Sequence, residues 1–408
     1  MNCRHCNAPL DHVFLDLGSA PPSNAYLTAA QLCAPEVYFP LKLFVCSCCW
    51  LVQTEDYTGA EELFISDYAY FSSISQTWLA HAAGYAEMIS RKLNLDSNSY
   101  VIEVASNDGY LLKHFVAAGI PCLGIEPTAS TADAAERLGI NVVREFFGRE
   151  LGERLAAEGR QADLVIGNNV FAHVPDVNDF AEGLKVILKP DGVITLEFPH
   201  LMRLIENTQF DTVYHEHFSY LSLYTASRIF RQAGLRIWDV EELPTQGGSL
   251  RIYGCHSDAS RDVTSAVSRI LQEEERCGMR TISAYQNFQE KANRIKNDLL
   301  LFLIDQKHTG KKVCGYGAAA KGNTLLNYAG VRPDLLPYVC DAAPSKQGKY
   351  LPGSHIPVVS PDMMKKDKPD IVLILPWNIA DEVRNEYRYI DNWGGRFVIP
   401  VPSPRFVG

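Results

Sequence analysis

Residues 101–112 read Val-Ile-Glu-Val-Ala-Ser-Asn-Asp-Gly-Tyr-Leu-Leu. The run passes from apolar to acidic, then to small polar residues and Asp-Gly, then back to apolar. That pattern predicts a buried strand, a tight turn and the start of a helix. Gly109 lets the backbone turn closely, so that the amides after it can approach a ligand. Glu126 closes Cys122-Leu-Gly-Ile-Glu-Pro, a second strand. In doubly wound folds an acid at that place accepts both hydroxyls of a ribose. Asp163-Leu-Val-Ile-Gly-Asn-Asn169 reads as a further strand, and Gly192-Val-Ile-Thr-Leu-Glu-Phe-Pro199 as another.

This order resembles a class I S-adenosylmethionine (SAM) dependent methyltransferase. The competing reading is a dinucleotide-binding Rossmann half. The stretch has no G-x-G-x-x-G and carries an acid on the first strand, which favours the methyltransferase.

The chain has 408 residues, enough for about two to three domains. Its 47% hydrophobic and 21% charged content is that of an ordinary globular protein. No apolar run approaches the roughly 18 residues of a membrane span, and the first residues, MNCRHCNAPL, lack the apolar core of a signal peptide. With a net charge of -10 and no dense basic run, nucleic acid is not an expected partner. No membrane and no obligate protein partner are expected either. An anionic small molecule held by a few local cations or amides remains compatible with this charge.

Eleven cysteines without a secretory context point to free thiols and a metal site in the cytosol. Cys3-x-x-Cys6 and Cys46-x-x-Cys49 are two knuckle-like pairs, and two such turns complete a structural zinc site. Cys48 competes with Cys49, but Cys49 repeats the spacing of the first pair. Four cysteine ligands leave no open position, so this zinc is expected to hold structure and do no chemistry. Cys33, Cys122, Cys255, Cys277, Cys314 and Cys340 are scattered and are expected in cores.

The expected fold class is α/β, with four regions. Residues 1–65 form a zinc-binding module. Residues 66–255 form a class I methyltransferase Rossmann-like domain, entered through an aromatic connector and a helix from about Trp78 to Leu93. Residues 256–310 are linking helices. Residues 311–408 form a second Rossmann-like α/β domain, starting with the strand and glycine turn Lys312-Val-Cys-Gly-Tyr-Gly-Ala-Ala-Ala-Lys-Gly-Asn. Gly247-Gly-Ser-Leu-Arg-Ile-Tyr-Gly reads as a late strand entered through a glycine turn.

Phe210-Asp-Thr-Val-Tyr-His-Glu-His-Phe-Ser-Tyr-Leu-Ser makes the resemblance narrower. It joins the cysteine pairs, VIEVASNDG, Asn168-Asn-Val-Phe-Ala-His-Val-Pro-Asp and GYGAAAKGN. In this order over nearly the whole chain, the motifs resemble the sugar C-methyltransferases of deoxysugar biosynthesis. The resemblance implies an N-terminal zinc module, a SAM-binding domain and a C-terminal Rossmann-like domain. It also implies methylation at C-3 or C-5 of a nucleotide-linked 4-keto-6-deoxyhexose, C-3 and a dTDP carrier being favoured.

The residues support that chemistry on their own account. A zincin reading of His-Glu-x-x-His fails because Ser219 stands where the second histidine is needed. Carbon methylation needs a carbanion equivalent; a ketone acidifies the neighbouring C–H, and a histidine is a suitable base. By resemblance His217 is the base, Tyr214 and His173 line the ketone or orient the base, and Glu216 supports the pocket. His215 is expected to point elsewhere if the segment is extended. Glu103, Ala105, Asn107 and Gly109 are expected to hold SAM, with Glu126 on the ribose and Asn168 near the methionine end. Tyr68, Tyr70, Ser72, Ser73 and Asn169 are expected on the substrate side. Lys321 is expected to meet a diphosphate or to be an exposed lysine at a helix start. The main alternative is an oxidoreductase binding a nicotinamide cofactor at GYGAAAKG, with Asp341 ending the next strand. A zinc-containing nucleic-acid or scaffold protein is a third reading, which the acidic charge opposes.

Overall fold

The N-terminal sequence forms three short strands: β1 (His12–Ala20), β2 (Phe39–Val45) and β3 (Val52–Thr54). In β2 the residues alternate, with Leu41, Leu43 and Val45 buried, as a strand with one covered face requires. The computed structural model describes residues 1–55, 57 and 71–407. Tyr68 and Tyr70 lie outside them. The chain divides into two units: Met1–His12, Val45–Met202 and Phe218–Ala284 in the first, and Val13–Phe44, Arg203–His217 and Tyr285–Gly408 in the second.

The first unit is built on a seven-stranded sheet. Its strands are β4 (Val101–Val104), β5 (Cys122–Ile125), β6 (Asn141–Val143), β7 (Ala162–Asn168) and β8 (Leu188–Pro199), followed after the short β9 (Ser219–Tyr220) by β10 (Leu235–Leu243) and β11 (Ser249–His256). The order across the sheet is β10-β11-β8-β7-β4-β5-β6. All four β4 residues are buried, the signature of a parallel strand covered on both faces. The chain runs outward from β4 through β5 and β6, then crosses back to β7 on the other side of β4. That reversal opens a crevice at the carboxyl ends of β4 and β7, where ligands bind in open α/β sheets. β8 begins at Leu188, earlier than the glycine at 192 implied. β11 runs antiparallel to it, pairing Ser249 with Pro199, so the Thr245–Gly248 turn shares the carboxyl edge of β8.

The helix Gln76–Leu93 covers this sheet. Its N-cap Ser75 accepts from the Trp78 amide, and Asn94 ends it in the left-handed conformation. Ala82, Tyr85, Ala86 and Ile89 recur at three- and four-residue steps and pack with Val101, Leu111, Phe115 and Tyr253.

The second unit carries a six-stranded sheet of β12 (Val313–Tyr316), β13 (Val339–Cys340), β14 (Val358–Val359), β15 (Ile371–Ile374), β16 (Arg396–Ile399) and β17 (Arg405–Val407). Their order is β14-β13-β12-β15-β16-β17, parallel except for β17. The switch beside β12 repeats that beside β4, so this is a second Rossmann-like sheet. The expected helical run over 264–308 is broken into Ser265–Arg276 and Phe288–His308, with Gly278 in positive φ between them. Cys33 and Cys277 are exposed, which corrects their expected place in cores: one ends a surface 3-10 turn and the other caps a helix. No helix among the described residues is long and apolar enough to cross a membrane.

Candidate active site

The metal cluster lies in the first unit. The thiols of Cys3, Cys6, Cys46 and Cys49 all fall within 4.8 Å of one another. A zinc ion with Zn–S bonds of about 2.3 Å sets tetrahedral sulfurs about 3.8 Å apart, so the four thiols fit it. Cys48 is exposed and outside the cluster. Gln53 donates to Cys3 Sγ at 3.2 Å, and the Arg4 amide donates to Gln53 at 2.9 Å. Arg4 also donates to the Pro175 carbonyl at 2.7 Å, while Asn178 and His5 pair at 2.8 Å. The knuckle is thereby tied to the loop after β7.

The crevice beside β4 is shaped by left-handed residues. Ala105, Asn107 and Gly109 have φ of +57°, +50° and +76°, and Asn169 after β7 has +53°. At Gly109 a Cβ would stand 2.5 Å from Ile140 Cδ1, so glycine is required by both conformation and space. Glu103 is wholly enclosed, and neither of its oxygens has a partner in hydrogen-bond geometry. Burial, then the nearby Asp108, raise its pKa well above the usual value, with Tyr110 pulling the other way. Asp108 Oδ1 and Asn168 Oδ1 are also buried acceptors without partners. Buried polar atoms are almost always paired, so this crevice calls for a ligand rich in donors. The ammonium, amino and hydroxyl groups of SAM meet that requirement. Glu126 is already engaged: Oε2 accepts from the Asn107 amide at 2.9 Å, and Oε1 from the Thr128 amide at 3.0 Å and the Thr128 hydroxyl. A carboxylate offers about four lone-pair sites, leaving one for a ribose hydroxyl. Ser72 and Ser73 donate their amides to Asn107 (2.9 Å) and Asp108 (3.0 Å), which fixes the connector on the loop.

A buried charge network at the edge of β8 was not foreseen from the sequence. Glu197 accepts from Arg251 at 2.7 Å, from His81 Nε2 at 2.9 Å and from Thr245 at 2.8 Å. Burial pushes the Glu197 pKa up, but His81 and Arg251 outweigh it and the carboxyl sits below its usual value. The Glu197 carbonyl accepts from the Asn169 amide at 2.7 Å, which joins this network to the end of β7.

The acid–base cluster lies in the second unit. The His217 ring donates from Nδ1 to the Thr212 carbonyl at 2.8 Å. A carbonyl only accepts, so neutral His217 is protonated at Nδ1 and its Nε2 holds the basic lone pair. The Tyr214 hydroxyl donates to that Nε2 at 2.7 Å. Glu216 is buried and accepts from Asn24 at 3.1 Å; burial raises its pKa. His215 turns instead to the Phe39 carbonyl at 3.3 Å, and burial lowers its pKa. His173 belongs to the first unit, half-buried in the turn Phe171–His173. Lys321 is not an exposed helix-start lysine: its ammonium donates to Asn378 at 2.6 Å and lies 4.7 Å from the centroid of the Trp377 ring. Asn24 and Thr212, which hold the two ends of the cluster, have no local signature to find them by.

Three family descriptions match the chain in order: a zinc binding domain over residues 3–64, a methyltransferase domain over 70–240, and a C-methyltransferase C-terminal domain over 244–402. The C-methyltransferase NovU of Streptomyces niveus is 34% identical over 99% of this chain and 96% of its own length. An uncharacterized methyltransferase of Mycobacteroides abscessus is 28% identical over 24% of this chain and 39% of its own length. The crystal structure of magnesium protoporphyrin IX methyltransferase from Synechocystis with bound SAM superposes with a TM-score of 0.33 at 14% identity, covering 45% of this chain and 79% of that one.

Proposed function

Because the chain belongs to the deoxysugar C-methyltransferase family and is a SAM-dependent enzyme with a structural zinc module, we propose that it methylates C-3 of a dTDP-linked 4-keto-6-deoxyhexose. When bound, SAM supplies an electrophilic methyl group on a sulfonium. Glu103, Ala105, Asn107, Gly109, Glu126 and Asn168 would hold it, and by resemblance Asn169, Ser72 and Ser73, with Tyr68 and Tyr70 outside the described residues, belong to the sugar side.

The observation that carries the reading is the hydrogen-bonded run Thr212–His217–Tyr214. With Nδ1–H committed to a carbonyl, Nε2 can take a proton, along its hydrogen bond from Tyr214, and has none to lose. The ketone beside C-3 makes its C–H acidic. As that bond breaks, its electron pair enters the enolate and its proton moves to the Tyr214 oxygen, while the phenol proton moves to His217 Nε2. The enolate carbon so formed is the nucleophile, and bound SAM would supply the methyl group to it, the electron pair of the broken S–C bond staying on sulfur. One proton remains on His217 and is released to solvent. By resemblance His173 lines the ketone and Glu216 supports the pocket. General-base groups contribute about 10²–10⁴-fold, which is the share assigned to His217.

The test is product NMR after incubation with ¹³C-methyl SAM and a panel of nucleotide-4-keto-6-deoxysugars. A labelled methyl on C-3 of a dTDP sugar is expected. A label on oxygen or nitrogen, or no transfer to any ketosugar, overturns the proposal. Reduction of a ketosugar by a nicotinamide cofactor would support the oxidoreductase alternative instead.

A further inference from the structure

The glycine turn and helix that open the second Rossmann-like sheet have no place in the reaction above. All the contacts that follow lie within the second unit. The helix Ala320–Ala329 presents Lys321, Asn323, Thr324 and Tyr328 to the segments that carry the acid–base cluster. Thr324 donates its hydroxyl to the Val213 carbonyl at 2.7 Å. Tyr328 meets the Phe210 ring edge-on at 5.6 Å. Asn323 donates to the Ser23 carbonyl at 2.6 Å, one residue before the Asn24 that holds Glu216. Trp377 donates its indole N–H to Asp211 at 2.6 Å. Lys321, under that indole, is fixed by Asn378.

These contacts bracket Thr212, whose carbonyl receives His217 Nδ1–H. Asp211 before it and Val213 after it are each tied to the C-terminal sheet or its helix. Trp377 holds the Asp211 side chain and Thr324 the Val213 carbonyl, one on each side of the Thr212 carbonyl that determines which imidazole nitrogen is protonated and where Nε2 points. Burial raises the Asp211 pKa to about 6 and lowers that of Lys321 to about 8, so the set is held in a dry interior.

We propose that Thr324, Trp377 and Asp211 are positioning residues for the base, and that the glycine-turn helix is a clamp on the Phe210–His217 segment rather than a nucleotide site. The proposal rests on the reading of His217 as base. Its structural half stands apart from that reading, because the clamp fixes the His217 tautomer whether or not His217 draws the sugar proton through Tyr214.

The experiment uses full-length, zinc-loaded protein labelled with ¹⁵N-histidine, in wild type and in Thr324→Val, Thr324→Ser and Trp377→Phe. His217 is assigned by the signal lost in His217→Asn. Wild type is expected to show a fixed Nδ1–H tautomer. Thr324→Val and Trp377→Phe are expected to show averaged ring nitrogens, while SAM affinity by calorimetry stays unchanged. Their kcat is expected to fall about 10–100-fold, the scale of a misplacement near 1 Å, with KM within about threefold, since no binding contact is removed. Thr324→Ser, which keeps the hydroxyl, is expected to recover both the tautomer and kcat. A wild-type tautomer in both Thr324→Val and Trp377→Phe would overturn the clamp. Averaged nitrogens with undiminished kcat would keep the clamp and remove His217 as base. If Thr324→Val fails to fold, Trp377→Phe decides by the same two signals.

Discussion

Replacing Glu197 by glutamine tests how much the first unit depends on its buried charges. The carboxylate holds three donors, from Arg251, His81 and Thr245, at 2.7–2.9 Å. Glutamine keeps the volume but offers one acceptor oxygen and turns an amide N–H₂ toward groups that donate. Arg251 is 3% exposed, and of its two carboxylate contacts it keeps the longer one, to Glu241 at 3.3 Å. Leaving a buried cation without its partner costs about 3–5 kcal/mol, a large part of an ordinary stability of about 5–15 kcal/mol. In urea, with slopes of about 1–3 kcal/mol per molar, the midpoint of the first unit is expected to fall by about 1–5 M at neutral pH. The pH dependence has a definite sign. The folded Glu197 pKa is depressed, so its contribution is complete above the unfolded carboxyl value of about 4.3 and is lost as pH falls through the lower folded value. The gap between wild type and Glu197→Gln should therefore narrow only in acid. A neutral-pH gap under about 1 kcal/mol, the size of a single neutral hydrogen bond, would refute the reasoning, as would a gap that widens in acid.

The other consequences are direct. Cys3→Ser and Cys46→Ser should each lose zinc by metal analysis and fold poorly; full zinc content in both would reject the four-thiol site. Glu126→Ala should weaken SAM binding in calorimetry by about 1–3 kcal/mol, the scale of a charged hydrogen bond, with sugar affinity less affected. Part of that loss will come from the Asn107 and Thr128 amides it leaves bare, so Thr128→Val separates loop support from ribose contact. Gly109→Ala forces a side chain into left-handed backbone and against Ile140; overpacking of this kind costs about 1–3 kcal/mol and should lower SAM affinity along with the melting temperature.

What was legible in the sequence was local. Two C-x-x-C pairs announce a metal knuckle because the ligand spacing lies within one turn. VIEVASNDG announces a strand, a turn and a glycine because each property belongs to adjacent residues. The contacts that organise the site are not of this kind. Glu197, His81 and Arg251 are separated by 116 and 54 residues, and each alone reads as an ordinary charged residue. Thr324 and Trp377 stand more than 100 residues from the segment they hold. Lys321 follows a glycine turn, where a lysine ordinarily reads as a phosphate ligand, yet it lies under an indole on Asn378. Glu126 reads as an open acceptor, yet two backbone amides have already taken part of its capacity.

The central claim is that this chain removes a proton from the carbon next to a ketone before any methyl group moves. Incubating the zinc-loaded enzyme in D₂O with a dTDP-4-keto-6-deoxyhexose, without a methyl donor, and following the C-3 hydrogen by proton NMR tests it most directly. The account predicts that wild type replaces that hydrogen by deuterium faster than buffer does, and that His217→Asn, folded and still binding the sugar, slows the replacement by about 10²–10⁴-fold. Exchange in His217→Asn at the wild-type rate would contradict it.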